Sequence, residues 1–444
     1  MINYLITNAR IVNEGRQTES DLLVQNGRIE QLGAGIKAPA NAEVLDAAGR
    51  VLLPGMIDSH VHCREPGLTH KADMASESAA AVAGGVTSII DMPNVQPPTT
   101  DHAAIVAKHE LARGRASTNY GFHFGATNDN IEAIKALDTS LVAAIKVFMG
   151  ASTGRMLVDD EATLDQLFAN APVLVITHCE DTPMIEAAEQ RARTRYGEDV
   201  PMREHPRIRS REACLRSSQQ AIELAHRHGT QLQILHLTTA EEMALFEPGP
   251  MAGKQITAEV CAHHLFFADS DYADKGTLIK CNPAIKSAAD RAALWAAVAD
   301  GRIDILASDH APHLLAEKQA GYFQAPSGLP LLQHELPSLL DHVKDGRLTL
   351  EQLVEKTAHN VAERYAIAER GYIREGYWAD LTLVDLQQPT AVEFEPLYSK
   401  CGWTPFAGHV FNNRIQATFV SGQLAYHEGK LSQGCTGQAL QYVR

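Results

Sequence analysis

The chain has 444 residues, 45% hydrophobic and 21% charged, which is enough apolar side chain for a large core and shows no compositional sign of disorder. A net charge of −15 argues against nucleic-acid and anionic-membrane partners, both of which need a basic face. Seven cysteines, an odd number without a CxxC pair, argue against a disulfide framework or a cysteine-based zinc site.

The N-terminus, Met1-Ile2-Asn3-Tyr4-Leu5, has no basic stretch before a long apolar run. No run reaches the ~18 apolar residues of a membrane helix. The reading is a cytoplasmic protein with no membrane partner. The first ~50 residues then read as short strands. Tyr4-Leu5-Ile6 and Arg10-Ile11-Val12 come first, and Asp21-Leu22-Leu23-Val24 meets Arg28-Ile29-Glu30 across an Asn26-Gly27 turn signal. Residues 379–384 and 416–420, near the other end, have the same texture. The simplest arrangement is one small β-sandwich domain built from residues 1–52 and 371–444, with a catalytic domain, 53–370, inserted between them.

That middle region alternates apolar runs with Ala-, Glu- and Leu-rich helical stretches. Eight candidate strands fall at 56–62, 87–94, 119–127, 142–150, 172–180, 232–239, 255–264 and 303–310. Helical periodicity is clearest over 77–84, 105–113, 212–227 and 291–298. Eight strand–helix units over ~270 residues match the α/β class and the size of a (β/α)₈ TIM barrel. Residues capable of chemistry sit near the C-terminal ends of these runs, and in a barrel those ends share one face, where active sites are built.

His60 and His62 lie two apart, so on a strand they point the same way and can share a metal. His178 and His236 each end a strand that is otherwise apolar. Asp309, at the end of the last run, is a carboxylate that needs a partner in such a setting, and a cation is the natural one. Lys146 sits inside Ala143-Ala144-Ile145-Lys146-Val147-Phe148, where lysine is rare. Its alternatives are a snorkelling side chain, a buried ion pair, or an amine that has captured CO₂. The carbamate so formed is an anionic, bidentate ligand able to bridge two metals. Four His, one Asp and that bridge would hold two divalent cations. Mixed nitrogen and oxygen ligation suits zinc, and cobalt and manganese take the same donors. Such a pair activates a hydroxide and polarises a carbonyl.

The ordered set His60, His62, Lys146, His178, His236 and Asp309 resembles the cyclic amidohydrolases of the amidohydrolase superfamily, and within them the dihydroorotase family. His60-Val61-His62-Cys63-Arg64-Glu65-Pro66-Gly67 is similar to that family's HxHxRxPG motif. Asp91-Met92-Pro93-Asn94, Ser308-Asp309-His310-Ala311-Pro312-His313 and Ala325-Pro326-Ser327-Gly328 resemble its further signatures. Residues 376–381 resemble the superfamily's entry into the C-terminal β segment. The resemblance implies that His60, His62 and Asp309 bind one metal, His178 and His236 the other, and carboxylated Lys146 bridges them. It further implies that Arg64, Asn94 and His313 hold a substrate carboxylate, that Asn282 contacts the ring, and that Asp309 shuttles the proton. The reaction implied is reversible opening of the cyclic amide of dihydroorotate to N-carbamoyl-aspartate, with a homodimer or higher homo-oligomer as the expected assembly. Allantoinases and dihydropyrimidinases share the barrel and the ligands, but their substrates lack this carboxylate, so Arg64 is the selective residue. A non-catalytic scaffold of the same fold would usually have lost ligands, and here all six positions are filled.

Overall fold

The eight apolar runs form strands because each is long enough to cross a barrel wall and ends in a turn or helix signal. In the computed structural model, which describes residues 2–150 and 156–444, they are Met56–Val61, Val86–Asp91, Asn119–Phe122, Ile145–Phe148, Val175–His178, Leu232–Ile234, Ile256–Cys261 and Ile305–Ala307. Neighbours pair in parallel, and the short strand Phe124–Gly125 joins the third unit to the fourth. The ring closes where Val61 bridges His310 and the His62 amide donates to the His310 carbonyl at 2.8 Å. Most strands are shorter than the predicted runs, chiefly at the C-terminal end, where the backbone leaves the ladder and carries side chains into the barrel mouth.

The four predicted helices lie in Met74–Ala83, His102–Ala112, Arg211–His228 and Ala288–Asp300. Asp73, Asp101, Ser210 and Ser287 cap them, each accepting an otherwise orphaned backbone N–H. These helices cover the outer face of the barrel, so the strands are buried on both sides, as parallel sheets require.

The two ends of the chain share one nine-stranded sheet. Its order is Lys430–Leu431, Gln423–His427, Arg414–Val420, Leu381–Asp385, Val51–Pro54, Asn3–Asn13, Arg16–Gln25, Arg28–Gly33, with Ala42–Asp46 also pairing Asn3–Asn13. Ile6, Leu22, Val24, Ile29, Leu52, Leu381 and Phe419 form its core. The two strands expected at 4–6 and 10–12 are one strand, with a register shift between Ile6 and Ala9. Asn8 lies there at φ 53°, so a bulge absorbs the change that reads in sequence as a break. The Asn26-Gly27 turn forms as expected, with both residues at positive φ, 52° and 83°. Among the described residues no helix is long and apolar enough to cross a membrane.

Candidate active site

The strand ends open onto a cavity of about 780 Å³. All ten residues singled out in the sequence line it: His60, His62, Arg64, Asn94, Lys146, His178, His236, Asn282, Asp309 and His313.

His60 and His62 do project together. Each places its Nε2 3.1 Å from Asp309 Oδ1. Their other ring nitrogens are already committed. His60 Nδ1 donates to Glu259 Oε1 at 2.8 Å, and His62 Nδ1 donates to Asn94 Oδ1 at 2.8 Å. In the neutral form of either ring, an acceptor-only partner at Nδ1 leaves a lone pair at Nε2. Those lone pairs and the Asp309 oxygen face one another, an arrangement that calls for a positive charge between them. Burial works to lower the His60 imidazole, yet Asp309 and Glu259 carry it up to about 9. Burial raises Asp309 less than His60 and His62 lower it, so it stays well below the usual carboxylate range.

The second pair stands at the ends of two neighbouring strands, Val175–His178 and Leu232–Ile234. His178 Nε2 donates to Glu180 Oε2 at 2.8 Å, which leaves Nδ1 free. The His178 and His236 rings lie 4.5 Å apart, and His236 lies 5.3 Å from His60, so four imidazoles cluster. His236 Nδ1 is buried without a partner among the described residues. Lys146 is buried in the wall of the same cavity, its Nζ 4.6 Å from the Phe148 ring centre. Among the described residues it forms no hydrogen-bonded ion pair, and burial lowers its ammonium to about 8.

Across the cavity the charge has the other sign. Arg64 is buried, with Nε donating to the Pro312 carbonyl at 3.0 Å and one terminal nitrogen 3.0 Å from His313 Nε2. Lys71 Nζ lies 3.0 Å from His313 Nδ1. Burial and these cations hold His313 neutral, far below the ordinary imidazole value. Asn282 Oδ1 is buried and unpartnered among the described residues. Arg64, His236 and Asp309 sit at φ 65°, 40° and 51°, a left-handed conformation that costs a side-chain-bearing residue about 1–2 kcal/mol. Strain of this kind persists where the surroundings over-determine a site.

The family profile described as the amidohydrolase family matches residues 51–425. The chain belongs to the amidohydrolase family. Among curated amidohydrolase relatives, the dihydroorotase of Halobacterium salinarum is 36% identical, with 88% of this chain and 89% of that protein covered. The allantoinase of Rubrobacter xylanophilus is 33% identical over 98% of this chain and 96% of its own length. Among solved structures, the L-hydantoinase (dihydropyrimidinase) of Arthrobacter aurescens superposes with a TM-score of 0.93 at 26% identity, covering 99% of this chain and 100% of that one. An amidohydrolase barrel is thus both the observed and the related fold.

Several side chains that shape the amidohydrolase site were not singled out in the sequence. Glu259 and Glu180 fix the rings of His60 and His178. Glu259 lies inside the apolar strand Ile256–Cys261, the same signal that pointed to Asp309. Glu180 follows His178 at a spacing of two, which also could have been read. Three further histidines have other surroundings: His310 pairs with Glu77 at 2.7 Å, while His263 and His264 are buried outside the cavity wall.

Proposed function

We propose that this chain catalyses the reversible hydrolysis of the cyclic amide of dihydroorotate to N-carbamoyl-aspartate. One observation carries the choice of substrate. Arg64 is only 7% exposed, faces the cavity, and has no carboxylate partner among the described residues. A buried guanidinium left without an anion is strongly unfavourable. A substrate carboxylate, gripped by the planar fork, completes it. Allantoin and hydantoins bring no such group. With an allantoinase relative at comparable identity, Arg64 is what separates the readings.

The donor set fits two divalent cations, zinc by its mixture of nitrogen and oxygen. His60, His62 and Asp309 would hold one and His178 and His236 the other, with Lys146, carboxylated, between them. When bound, the pair polarises the ring carbonyl and makes water a nucleophile at neutral pH. The chain's own residues do the rest. Arg64, His313 and Asn94 Nδ2 orient the carboxylate, and Asn282 Oδ1 accepts from a ring N–H. Asp309, ionised at neutral pH, takes the proton of the attacking water and delivers it to the ring nitrogen as the C–N bond breaks. In reverse, the same carboxylate removes that proton and the ring closes. All seven cysteines are unpaired and six are buried, which supports a reducing, cytoplasmic setting.

The test is a substrate panel on metal-replete protein. Dihydroorotate should exceed allantoin and dihydrouracil in kcat/KM by about 100-fold or more, the size of one charge-assisted contact in a desolvated pocket. Dominant turnover of either neutral ring would replace this reading with the allantoinase or dihydropyrimidinase one.

A further inference from the structure

The wall of the cavity opposite the histidines is an irregular loop, residues 321–328, and two lysines hold its backbone from behind. Lys318 ends the one-turn helix Leu315–Lys318 and is 0% exposed. Its Nζ donates to the carbonyls of Lys280, Pro326 and Gly328, each at 2.9 Å. These are all the donors an ammonium has. Lys280 is also buried, and its Nζ donates to the Tyr322 carbonyl and, at 2.7 Å, to that of Ala325. The Gly328 amide donates back to the Lys280 carbonyl at 2.9 Å. Two ammonium groups thus serve five backbone carbonyls, and neither forms an ion pair with a carboxylate among the described residues.

We propose that Lys318, seconded by Lys280, is a built-in cation that sets the shape of this wall, and that through the wall it governs substrate affinity and not bond cleavage. Lys318 is a positioning residue and touches no reacting atom. Several arguments converge. The loop makes no regular ladder, so its inward carbonyls have no strand or helix partner and would be left unpaired at about 1–3 kcal/mol each. A single ammonium answers two of them, Pro326 and Gly328, together with the Lys280 carbonyl, from three directions, as a bound metal ion would. The loop then presents Ser327, whose carbonyl is 3.1 Å from His313 Nε2, and Tyr322, whose hydroxyl is 2.9 Å from His205 Nδ1. Tyr322, Phe323, Ala325, Pro326 and Ser327 all face the cavity. Burial without a counter-ion is opposed, and it lowers Lys318 to about 7 and Lys280 to about 8. Three simultaneous donations from one nitrogen need the protonated amine, so the carbonyls themselves favour the charge that burial opposes.

The kinetic part of the test rests on the dihydroorotate reading, and the structural part does not. Lys318→Met keeps the length and removes charge and donors, and Lys318→Ala leaves room for a small amine. Amide hydrogen exchange over residues 321–329 should quicken about 10-fold or more in both variants, as expected when local opening loses a few hydrogen bonds. The exchange of the barrel strands should stay unchanged. Ethylammonium chloride should restore loop protection in Lys318→Ala, whereas tetramethylammonium chloride, which has no donor, should not. With dihydroorotate, KM should rise about 10-fold with kcat within about 3-fold, the pattern of lost ground-state binding. Should Lys318→Met fail to fold, Lys318→Ala purified in ethylammonium supplies the same comparison on removal of the amine. Unchanged loop exchange, equal rescue by both salts, or a fall in kcat at constant KM would each overturn the proposal. Failure of the wild-type chain to turn over dihydroorotate would sink the substrate reading alone, leaving the exchange and rescue arms to judge Lys318.

Discussion

On one side of the cavity the histidines stand at the ends of parallel strands, and each of three is aimed by an oxygen acceptor: Glu259 for His60, Asn94 for His62, Glu180 for His178. On the other side the cations Arg64, Lys71, Lys280 and Lys318 come from loops and a one-turn helix, and three of them are aimed by backbone carbonyls. The first wall gathers lone pairs and so attracts cations. The second gathers N–H donors and so attracts an anion. A substrate that must meet an electrophilic centre at one end and a guanidinium at the other is selected by that opposition more than by shape.

The comparison can be broken one wall at a time. Asp309→Asn removes both the proton acceptor and an anionic donor, and kcat should fall about 10³- to 10⁴-fold, near the upper range for general acid–base groups. Steady-state rates at saturating metal check this, and a loss below tenfold would remove Asp309 from the proton path. Arg64→Met attacks the opposite wall. kcat/KM for dihydroorotate should drop about 10²- to 10³-fold, the equivalent of losing one desolvated charge pair, while the slow turnover of neutral rings stays level. Glu259→Gln is subtler, because the carboxamide oxygen can still accept from His60 but carries no charge. Metal affinity should weaken about 10- to 100-fold, measured by competition with a chelator, with kcat recovered at excess metal.

The smallest effect concerns Lys146. Only the neutral amine reacts with CO₂, and burial places its proton affinity at about 8. The fraction of neutral amine therefore grows as pH rises through 8. Metal-stripped protein should regain activity with bicarbonate and metal about tenfold faster at pH 9 than at pH 7, after allowance for the falling CO₂ fraction, because an amine titrating near 8 goes from about one-tenth to about nine-tenths neutral over that span. A rate independent of pH would argue against capture by this amine.

The first wall was legible from strand periodicity, whereas on the second Arg64, Asn282 and His313 were marked only by motif resemblance and the lysines not at all, for a physical reason. A strand repeats every two residues, so His60 and His62 announce their common face, and polar ends on apolar runs mark the barrel mouth. Glu259 and Glu180 could have been weighed the same way: Glu180 stands two residues from the His178 it serves, whereas Glu259 meets His60 only when the barrel brings together residues 199 positions apart. The loop wall has no period to read. Nothing in Lys318 or Lys280 shows that their targets are carbonyls at 322, 325, 326 and 328. The N-terminal strand Asn3–Asn13 was read as two pieces for a related reason, since a bulge at Asn8 interrupts the alternation without ending the pairing.

The nine-stranded sheet has a consequence for how the molecule is made. Val51–Pro54 pairs on one side with Asn3–Asn13 and on the other with Leu381–Asp385. During synthesis the first hairpin therefore waits, one flank bare, while more than three hundred residues of barrel leave the ribosome. An open strand flank is a template for unwanted pairing. Nascent chains released before residue 381 should be the ones that aggregate, and they should do so through the amino-terminal segment even when the barrel that follows is already in place.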